Sequence, residues 1–130
     1  MIFENAVNST KQGDIGEARA IYEYTRLGFI VSRTLFDSAK YDLIIDDGEG
    51  LKRVQVKTSN YYREYGWIVG LKTSGGNRSR TYKQKRKKED YDILFVLTSD
   101  NRCWSIPTDI LGDIQSVILG TKKYQNYELN

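Results

Sequence analysis

Three side chains in the first half of the chain have the chemistry of a metal-assisted phosphodiester hydrolysis site. Period-two alternation puts Gln55 and Lys57 on one face of a predicted strand, and Asp42 begins the strand before it. Mg²⁺ prefers oxygen ligands and often takes only one or two carboxylates. Asp42, the amide oxygen of Gln55 and the backbone carbonyl of Val56 could bind it. Lys57 could then steady the attacking water and offset charge on the phosphate.

A fourth candidate, Glu17, lies on a helix predicted over residues 11–27, which Thr10 can cap and Gly28 can end. Glu17 falls at the edge of the apolar stripe of this helix, so its carboxylate could hold a second metal ion or orient the water. A surface glutamate is the alternative explanation. The stripe is formed by residues that recur at spacings of three and four: Ile15, Ala18, Ile21, Tyr22 and Thr25.

Apolar runs separated by turn residues predict the strands that position these groups, at residues 29–33, 41–46, 51–58, 66–71, 91–98 and 102–107. The Asp-Gly pair in DGEG, residues 47–50, predicts a hairpin that brings Asp42 beside Gln55 and Lys57. ILFVL is apolar at successive positions, which suits a central strand covered on both faces. A short helix at residues 109–118 and a last strand are predicted for the tail. We expect one α/β or α+β domain over residues 1–130.

Residue usage excludes several kinds of chemistry. The chain has no His, so His-containing triads, His-rich zinc sites and His-based nuclease motifs are excluded. A lone Cys103 cannot form an internal disulfide, which indicates a reducing, intracellular setting. No apolar stretch approaches the roughly 20 residues of a membrane span, and the start resembles no signal peptide. A cytoplasmic protein with no membrane partner is expected.

Charge is unevenly distributed along the chain. There are 20 Lys and Arg against 17 Asp and Glu, but basic residues concentrate at residues 78–88 and acidic ones at 42–49. This predicts one face for a polyanion and one small acidic pocket. The basic stretch is expected to begin as a flexible loop at Gly75, Gly76, Asn77 and Ser79 that orders on DNA, although a solvated loop is the alternative. The candidate DNA contacts are Arg63, Lys72, Arg78, Arg80, Lys83, Lys85 and Arg86.

Aromatic residues beside the predicted catalytic strand add further candidates for DNA contact. They could equally be half-buried packing or a subunit interface. The residues are Tyr61, Tyr62, Tyr65 and Trp67.

The segments GDIGEARA (13–20), KYDLIID (40–46) and RVQVKT (53–58) resemble the PD-(D/E)XK nuclease superfamily, whose core is a central mixed sheet flanked by helices. The likeness is good over about the first 60 residues and looser to Pro107. It is strongest to the branch of small bacterial and phage proteins that contains the intron-encoded homing endonucleases, in which Gln stands at the same place. Lys40 and Tyr41 replace the proline that precedes the motif aspartate, a difference of the backbone alone.

By this resemblance Glu17 matches the helix acid, Asp42 the motif aspartate and Lys57 the motif lysine, with Gln55 in place of the variable acid. The resemblance implies Mg²⁺ as cofactor, with Mn²⁺ able to substitute, and double-stranded DNA as partner. A bacterial or phage-encoded, site-specific homing endonuclease is the leading expectation. A nuclease of the Holliday-junction-resolvase type and an inactive DNA-binding relative are the alternatives, the latter because Gln55 is neutral.

A homodimer or homotetramer is expected, because one small domain with one site cuts only one strand of a duplex. Apolar residues after Pro107 are the first candidates for the subunit contact, although core packing explains them equally well. They are Ile110, Leu111, Ile114, Val117, Ile118 and Leu119.

Overall fold

The computed structural model describes residues 1–77 and 80–130, and it describes the side chains of these residues except those of residues 73–83. Its first element is helix α1 (Ser9–Arg26). The helix begins two residues earlier than predicted, because its N-cap is Asn8 and not Thr10. The Asn8 side chain accepts a hydrogen bond from the Lys11 backbone N–H at 2.8 Å. Gly28, with φ +89°, ends the helix as predicted.

The helix face that packs on the sheet differs from the predicted stripe. Its buried residues are Gly16, Ala20, Glu23 and Tyr24, whereas Ile15 and Ile21 are only half-buried. Three residues of the predicted stripe are exposed: Ala18, Tyr22 and Thr25. The predicted stripe is rotated relative to the observed face, because it was drawn through Ile15 and Ile21, whereas the sheet approaches the helix closely at Gly16.

Six strands form the main sheet, in the order β1-β2-β3-β8-β9-β11. The sheet is mixed, because β3 and β8 are parallel and every other neighbouring pair is antiparallel. Five of the six strands of this sheet were predicted from the sequence. The predicted hairpin at residues 47–50, between β2 and β3, is confirmed. The strands are β1 (Ile30–Arg33), β2 (Leu43–Asp46), β3 (Leu51–Ser59), β8 (Ile93–Thr98), β9 (Cys103–Pro107) and β11 (Glu128–Leu129).

Strand β3 is longer than its neighbour β2, and this difference opens the sheet. Leu51–Val54 of β3 pair with β2, whereas Val54–Ser59 pair with β8. Within the described residues, positions 55–59 of β3 thus have a strand partner only on the β8 side. We call the other side of this segment the open edge. Asp42 comes immediately before β2, so it lies where the open edge begins.

A second, three-stranded sheet covers the face of the main sheet that is opposite α1. Its order is β10-β5-β4, with β4 (Tyr62–Arg63), β5 (Gly66–Gly70) and β10 (Ser116–Leu119). Between β9 and β10 the chain contains only a four-residue helix α2 (Thr108–Leu111), so the helix predicted over residues 109–118 was wrong. Alternating burial of Val117 and Leu119 explains the strand.

Residues 73–77 and 80–84 are strands, so Gly75, Gly76 and Asn77 lie in a strand and not in the predicted loop. Strands β6 (Thr73–Asn77) and β7 (Arg80–Gln84) pair in antiparallel register, and Ser79 lies outside the described residues. Two 3₁₀ turns, Lys88–Asp90 and Gln125–Tyr127, complete the elements. No helix among the described residues is long and apolar enough to cross a membrane.

Two hydrophobic clusters lie on opposite faces of β8, as its continuous apolar run predicted. Phe95 and Leu97 pack toward α1 with Ala20 and Tyr24. On the other face, Leu94 and Val96 pack in a cluster with β5, β9 and β10 that includes Trp67, Trp104, Ile106, Val117 and Leu119. Strand β3 is therefore held rigidly at the centre of the sheet, beside the strand that is covered on both faces.

Exchanging Gly16 for Ala is expected to destabilise the protein by about 1–3 kcal/mol, because the added methyl overpacks this contact. A Cβ at position 16 would lie much closer to Thr58 Cγ2 than van der Waals contact allows, and Thr58 is fixed by a hydrogen bond from Gln12 at 2.8 Å. Gly13→Ala, on the same helix with open space around it, is the control and should stabilise by up to about 1 kcal/mol. Urea unfolding of both variants measures the difference, and equal effects would contradict the packing argument.

Candidate active site

Asp42 is fixed in place through its backbone and its side chain. Its N–H donates to the Val54 carbonyl at 2.8 Å, and its carbonyl accepts from the Thr34 N–H at 3.2 Å. Its carboxylate Oδ2 accepts from the Val56 N–H at 2.8 Å. The carboxylate therefore takes the place of a strand partner at the open edge, because it accepts from the Val56 N–H, which no neighbouring strand pairs with there.

Burial raises the pKa of Asp42 above its ordinary value, more than the surrounding groups lower it. The Val56 N–H and the Lys57 ammonium both lower this pKa, whereas the nearby Asp37 carboxylate raises it. A desolvated carboxylate with a raised pKa lacks sufficient positive charge around it. Such a group is suited to binding an additional cation.

Gln55 and the carbonyl of Val56 lie together beside Asp42. The Gln55 side chain is buried, with 9% of the residue exposed, and its Nε2 donates to the Val56 carbonyl at 3.3 Å. Because the Val56 N–H faces Asp42, the backbone alternation of a strand directs the Val56 carbonyl toward the same open edge. The structure thus brings together the three oxygen-bearing groups that the sequence predicted, two of them neutral.

Lys57 follows on the same face of β3 as Gln55. Its Nζ donates to the Lys72 carbonyl at 3.2 Å, which directs the ammonium across the sheet toward the end of β5. The ammonium is also close enough to Asp42 to lower the pKa of that carboxyl. Lys57 is therefore held by a neutral backbone group at a place where it can respond to negative charge near Asp42.

Glu17 reaches the site from helix α1, and it lies beside residues that the sequence did not predict for the site. Its carboxylate and Asp42 line the same cleft of about 210 Å³, together with Asp37. Arg33, at the end of β1, pairs with Glu17 at an Nε to Oε1 distance of 2.8 Å and lines the cleft as well. Sequence reasoning missed Arg33 and Asp37, because the loop between β1 and β2 gives no signal for the register that places Arg33 opposite Leu43.

The donor set fits a hard divalent cation that keeps several water ligands. Among the described residues, no three Asp, Glu or Cys side chains are grouped as a metal-binding cluster. One half-buried carboxylate, one amide and one backbone carbonyl nevertheless meet at the open edge, with a second carboxylate in the same cleft. Mg²⁺ commonly takes one or two carboxylates and completes its octahedron with water and phosphate oxygens. Asp42, Gln55, Val56 and Glu17 are thus compatible with such an ion.

Comparison with known proteins agrees with this geometry. A family model described as PD-(D/E)XK endonuclease matches residues 7–126. The chain belongs to the PD-(D/E)XK endonuclease family. The solved structure entitled "The structure of a bacterial homing endonuclease: I-Ssp6803I" superposes with a TM-score of 0.75 and 23% sequence identity, covering 93% of this chain and 89% of that one. That likeness confirms the predicted fold. No curated protein sequence matches the chain significantly.

The basic residues of this PD-(D/E)XK endonuclease are used in different ways. Arg63, Lys72 and Lys85 are exposed, with the Arg63 guanidinium 5.6 Å from the ring centroid of Tyr61. Arg78 lies outside the described residues, and so do the side chains of Arg80 and Lys83. All six stay predictions of DNA contact.

Arg86 was wrongly predicted to contact DNA. It is 1% exposed and donates from Nη1 to the carbonyls of Gly112 and Ile114 at 2.6 and 3.1 Å. Its guanidinium lies 5.2 Å from the ring centroid of Tyr91. Arg86 thus ties the chain before β8 to the turn before β10, and sequence reasoning counted it as a surface cation only because its neighbours are basic.

Two other groups predicted from composition also differ in this endonuclease. Trp67 is buried and donates from Nε1 to Asp100 at 3.1 Å, so it packs in the core, while Tyr61, Tyr62 and Tyr65 are exposed. The acidic residues at 42–49 do not form one pocket. Asp47 pairs with Lys52 at the hairpin tip, at the opposite end of β2 from Asp42.

Proposed function

We propose that this chain is a metal-dependent, site-specific endonuclease of double-stranded DNA, of the homing type. The observation that supports the proposal best is the open edge of β3, where Asp42, Gln55 and the Val56 carbonyl meet and Lys57 follows on the same strand. The fold likeness to a bacterial homing endonuclease over 93% of this chain also supports it.

Each residue of the site has a distinct role in the proposed hydrolysis. Asp42, Gln55 and Val56 would hold Mg²⁺ or Mn²⁺ through oxygen atoms, and Glu17 would hold a second ion or orient the attacking water. The ion, when bound, polarises the phosphate and lowers the pKa of water. Lys57 donates to the attacking water or to the phosphate oxygens, which offsets the negative charge that builds up during attack.

An inactive DNA-binding relative is the second candidate. Gln55 favours it, because a neutral amide binds a cation more weakly than the carboxylate usual in the family, and its Nε2 is already bonded to Val56. The presence of Asp42, Lys57 and Glu17 around the same open edge favours an active enzyme instead. Binding of DNA without nicking in either Mg²⁺ or Mn²⁺ would decide for the inactive relative.

Cleavage-site selection from randomised duplex DNA with Mg²⁺ tests the proposal directly. We expect recovery of one long sequence motif with cuts at fixed positions. A synthetic four-way junction should be digested in parallel with the linear library. Junction cutting without regard to sequence would replace the homing proposal with a resolvase-type activity.

We propose that the enzyme works as a homodimer or homotetramer, because one site cuts one strand. Leu111, Val117 and Leu119 pack in the core, which removes them as contact candidates. Ile110, Ile114 and Ile118 are partly exposed and stay candidates. Sedimentation equilibrium gives the assembly mass, and a palindromic selected target would agree with a two-fold assembly.

Gln55→Glu is expected to keep metal binding and cleavage, with tighter Mg²⁺ affinity than the native protein. A carboxylate adds negative charge at a position where the amide oxygen is the proposed ligand. Titration of cleavage against Mg²⁺ concentration measures the change. Gln125→Glu is the matched control, because Gln125 is exposed in the turn Gln125–Tyr127 and does not line the cleft. Complete loss of cleavage in Gln55→Glu would mean that the amide has a role beyond ligand binding.

A further inference from the structure

The loop between β1 and β2 places two large apolar side chains at the mouth of the cleft. Leu35 and Phe36 are 87% and 76% exposed, and both line the cleft that contains Asp42 and Glu17. Exposed apolar residues are common when single, but two adjacent ones at the rim of a polar cleft suggest that the occupant of the cleft covers them.

Cations flank this apolar pair on both sides. Arg33 precedes Leu35 by two residues and has a side chain that is 68% exposed despite its pairing with Glu17. At the far end of the loop, Lys40 pairs with Asp90 at 3.3 Å and has a half-exposed side chain. A loop that carries a cation before and after an apolar pair can contact phosphates beside the stacked bases of a duplex.

A protein partner fits this surface poorly. A second copy of the chain that covered Leu35 and Phe36 would also cover the cleft, because the same residues line it. Asp42 and Glu17 would then be closed to a phosphodiester. A DNA duplex that brought a phosphodiester to Asp42 would, in contrast, contact Leu35 and Phe36 and leave the cleft in use, because the same residues line it.

We propose that Leu35 and Phe36 form a wedge that enters the DNA beside the cut and unstacks one base step. This inference rests on the proposed function and adds to it how the site would admit its substrate. Apolar side chains of this kind enter between base steps from the minor groove and kink the duplex. Arg33 and Lys40 bind phosphates on the two sides of the kink, and the bend carries the phosphodiester into the cleft.

A fluorescence experiment tests the wedge on the duplex sequence recovered by the selection. 2-Aminopurine, whose emission rises when it unstacks, is placed singly at each step near the cut, and the Lys57→Ala protein is added so that the DNA stays intact. We expect increased emission at one step, and we expect that the additional change Phe36→Ala removes the increase. Leu51→Ala is the matched control, since Leu51 is 71% exposed but lies at the start of β3, away from the cleft.

Cleavage kinetics provide the second measurement. With Lys57 restored, Phe36→Ala is expected to lower cleavage of the intact duplex by at least about tenfold. An abasic site at the base step that gains emission removes the need for unstacking. It should therefore restore cleavage by Phe36→Ala nearly to the native rate. Thermal melting verifies that the exposed substitution leaves the fold intact.

The outcomes separate this inference from the proposed function. If the native protein nicks no duplex, the proposed function fails. If it cuts, but no step gains emission and Phe36→Ala cuts like Leu51→Ala, the wedge is overturned and the nuclease stands. A change of assembly mass in Phe36→Ala, without any emission change, would also overturn the wedge and assign the pair to a contact between subunits.

Discussion

Lys57→Ala is expected to abolish detectable cleavage, a loss of at least about 10³-fold in rate, while DNA binding stays nearly unchanged. The ammonium donates to the Lys72 carbonyl and is close enough to lower the pKa of Asp42, so it lies beside the place proposed for the phosphate. One cation among the many of this chain adds little to DNA affinity. Single-turnover nicking assays and fluorescence anisotropy measure the two effects.

Lys52→Ala is the matched control for that experiment. Lys52 lies on the same strand, but it pairs with Asp47 at the hairpin tip, away from the open edge. It should cut and bind like the native protein. If Lys57→Ala retained more than a small fraction of native cleavage, or if it lost binding in proportion, the assigned role of Lys57 would be wrong.

Asp42→Asn is expected to lower cleavage by about 10³-fold or more and at the same time to stabilise the folded protein at neutral pH. The amide keeps an oxygen that can accept the Val56 N–H, but it lacks the charge that holds a divalent cation. Asp46→Asn, at the other end of β2, is the control for cleavage. Near-native cleavage by Asp42→Asn would contradict the proposed metal site.

The sign of the stability effect follows from the raised pKa of Asp42. Because burial raises this pKa in the folded state above the ordinary 3.8, the fold favours the protonated carboxyl, and ionisation destabilises it. This cost is absent below the unfolded pKa, grows as pH rises through the folded pKa and is complete above it. Asp42→Asn removes the cost, so its melting temperature should exceed that of the native protein at about pH 7, and the difference should vanish toward about pH 3.

Thermal melts without divalent cations, at both pH values, measure this difference. A variant less stable than the native protein at neutral pH would mean that the bond from Val56 outweighs the desolvation of the carboxylate. Adding Mg²⁺ should stabilise the native protein more than the variant, because only the native protein retains the charged ligand.

Local sequence patterns were sufficient to place three residues of the site: Asp42, Gln55 and Lys57. The Asp-Gly turn fixes an antiparallel hairpin between β2 and β3, and period-two alternation then fixes which residues of β3 share a face. Both rules act over a few residues, so Asp42, Gln55 and Lys57 could be placed together without any long-range information. The buried run of β8 was equally legible, because a strand covered on both faces must be apolar throughout.

The residues that surround these three could not be predicted from the sequence and are known from the tertiary structure. Gly16, Ala20 and Tyr24 face the sheet while Ile15 and Ile21 are only half-buried, because the helix approaches β3 closely at Gly16. Arg33 pairs with Glu17 because β1 and β2 pair in a register that the sequence of the loop between them does not indicate. Arg86 lies in a basic run but is buried, since the carbonyls that receive it come from more than 25 residues later in the chain. Charge and hydropathy describe a residue's own preference, whereas burial and pairing depend on neighbours that are distant in sequence, and only folding brings these together.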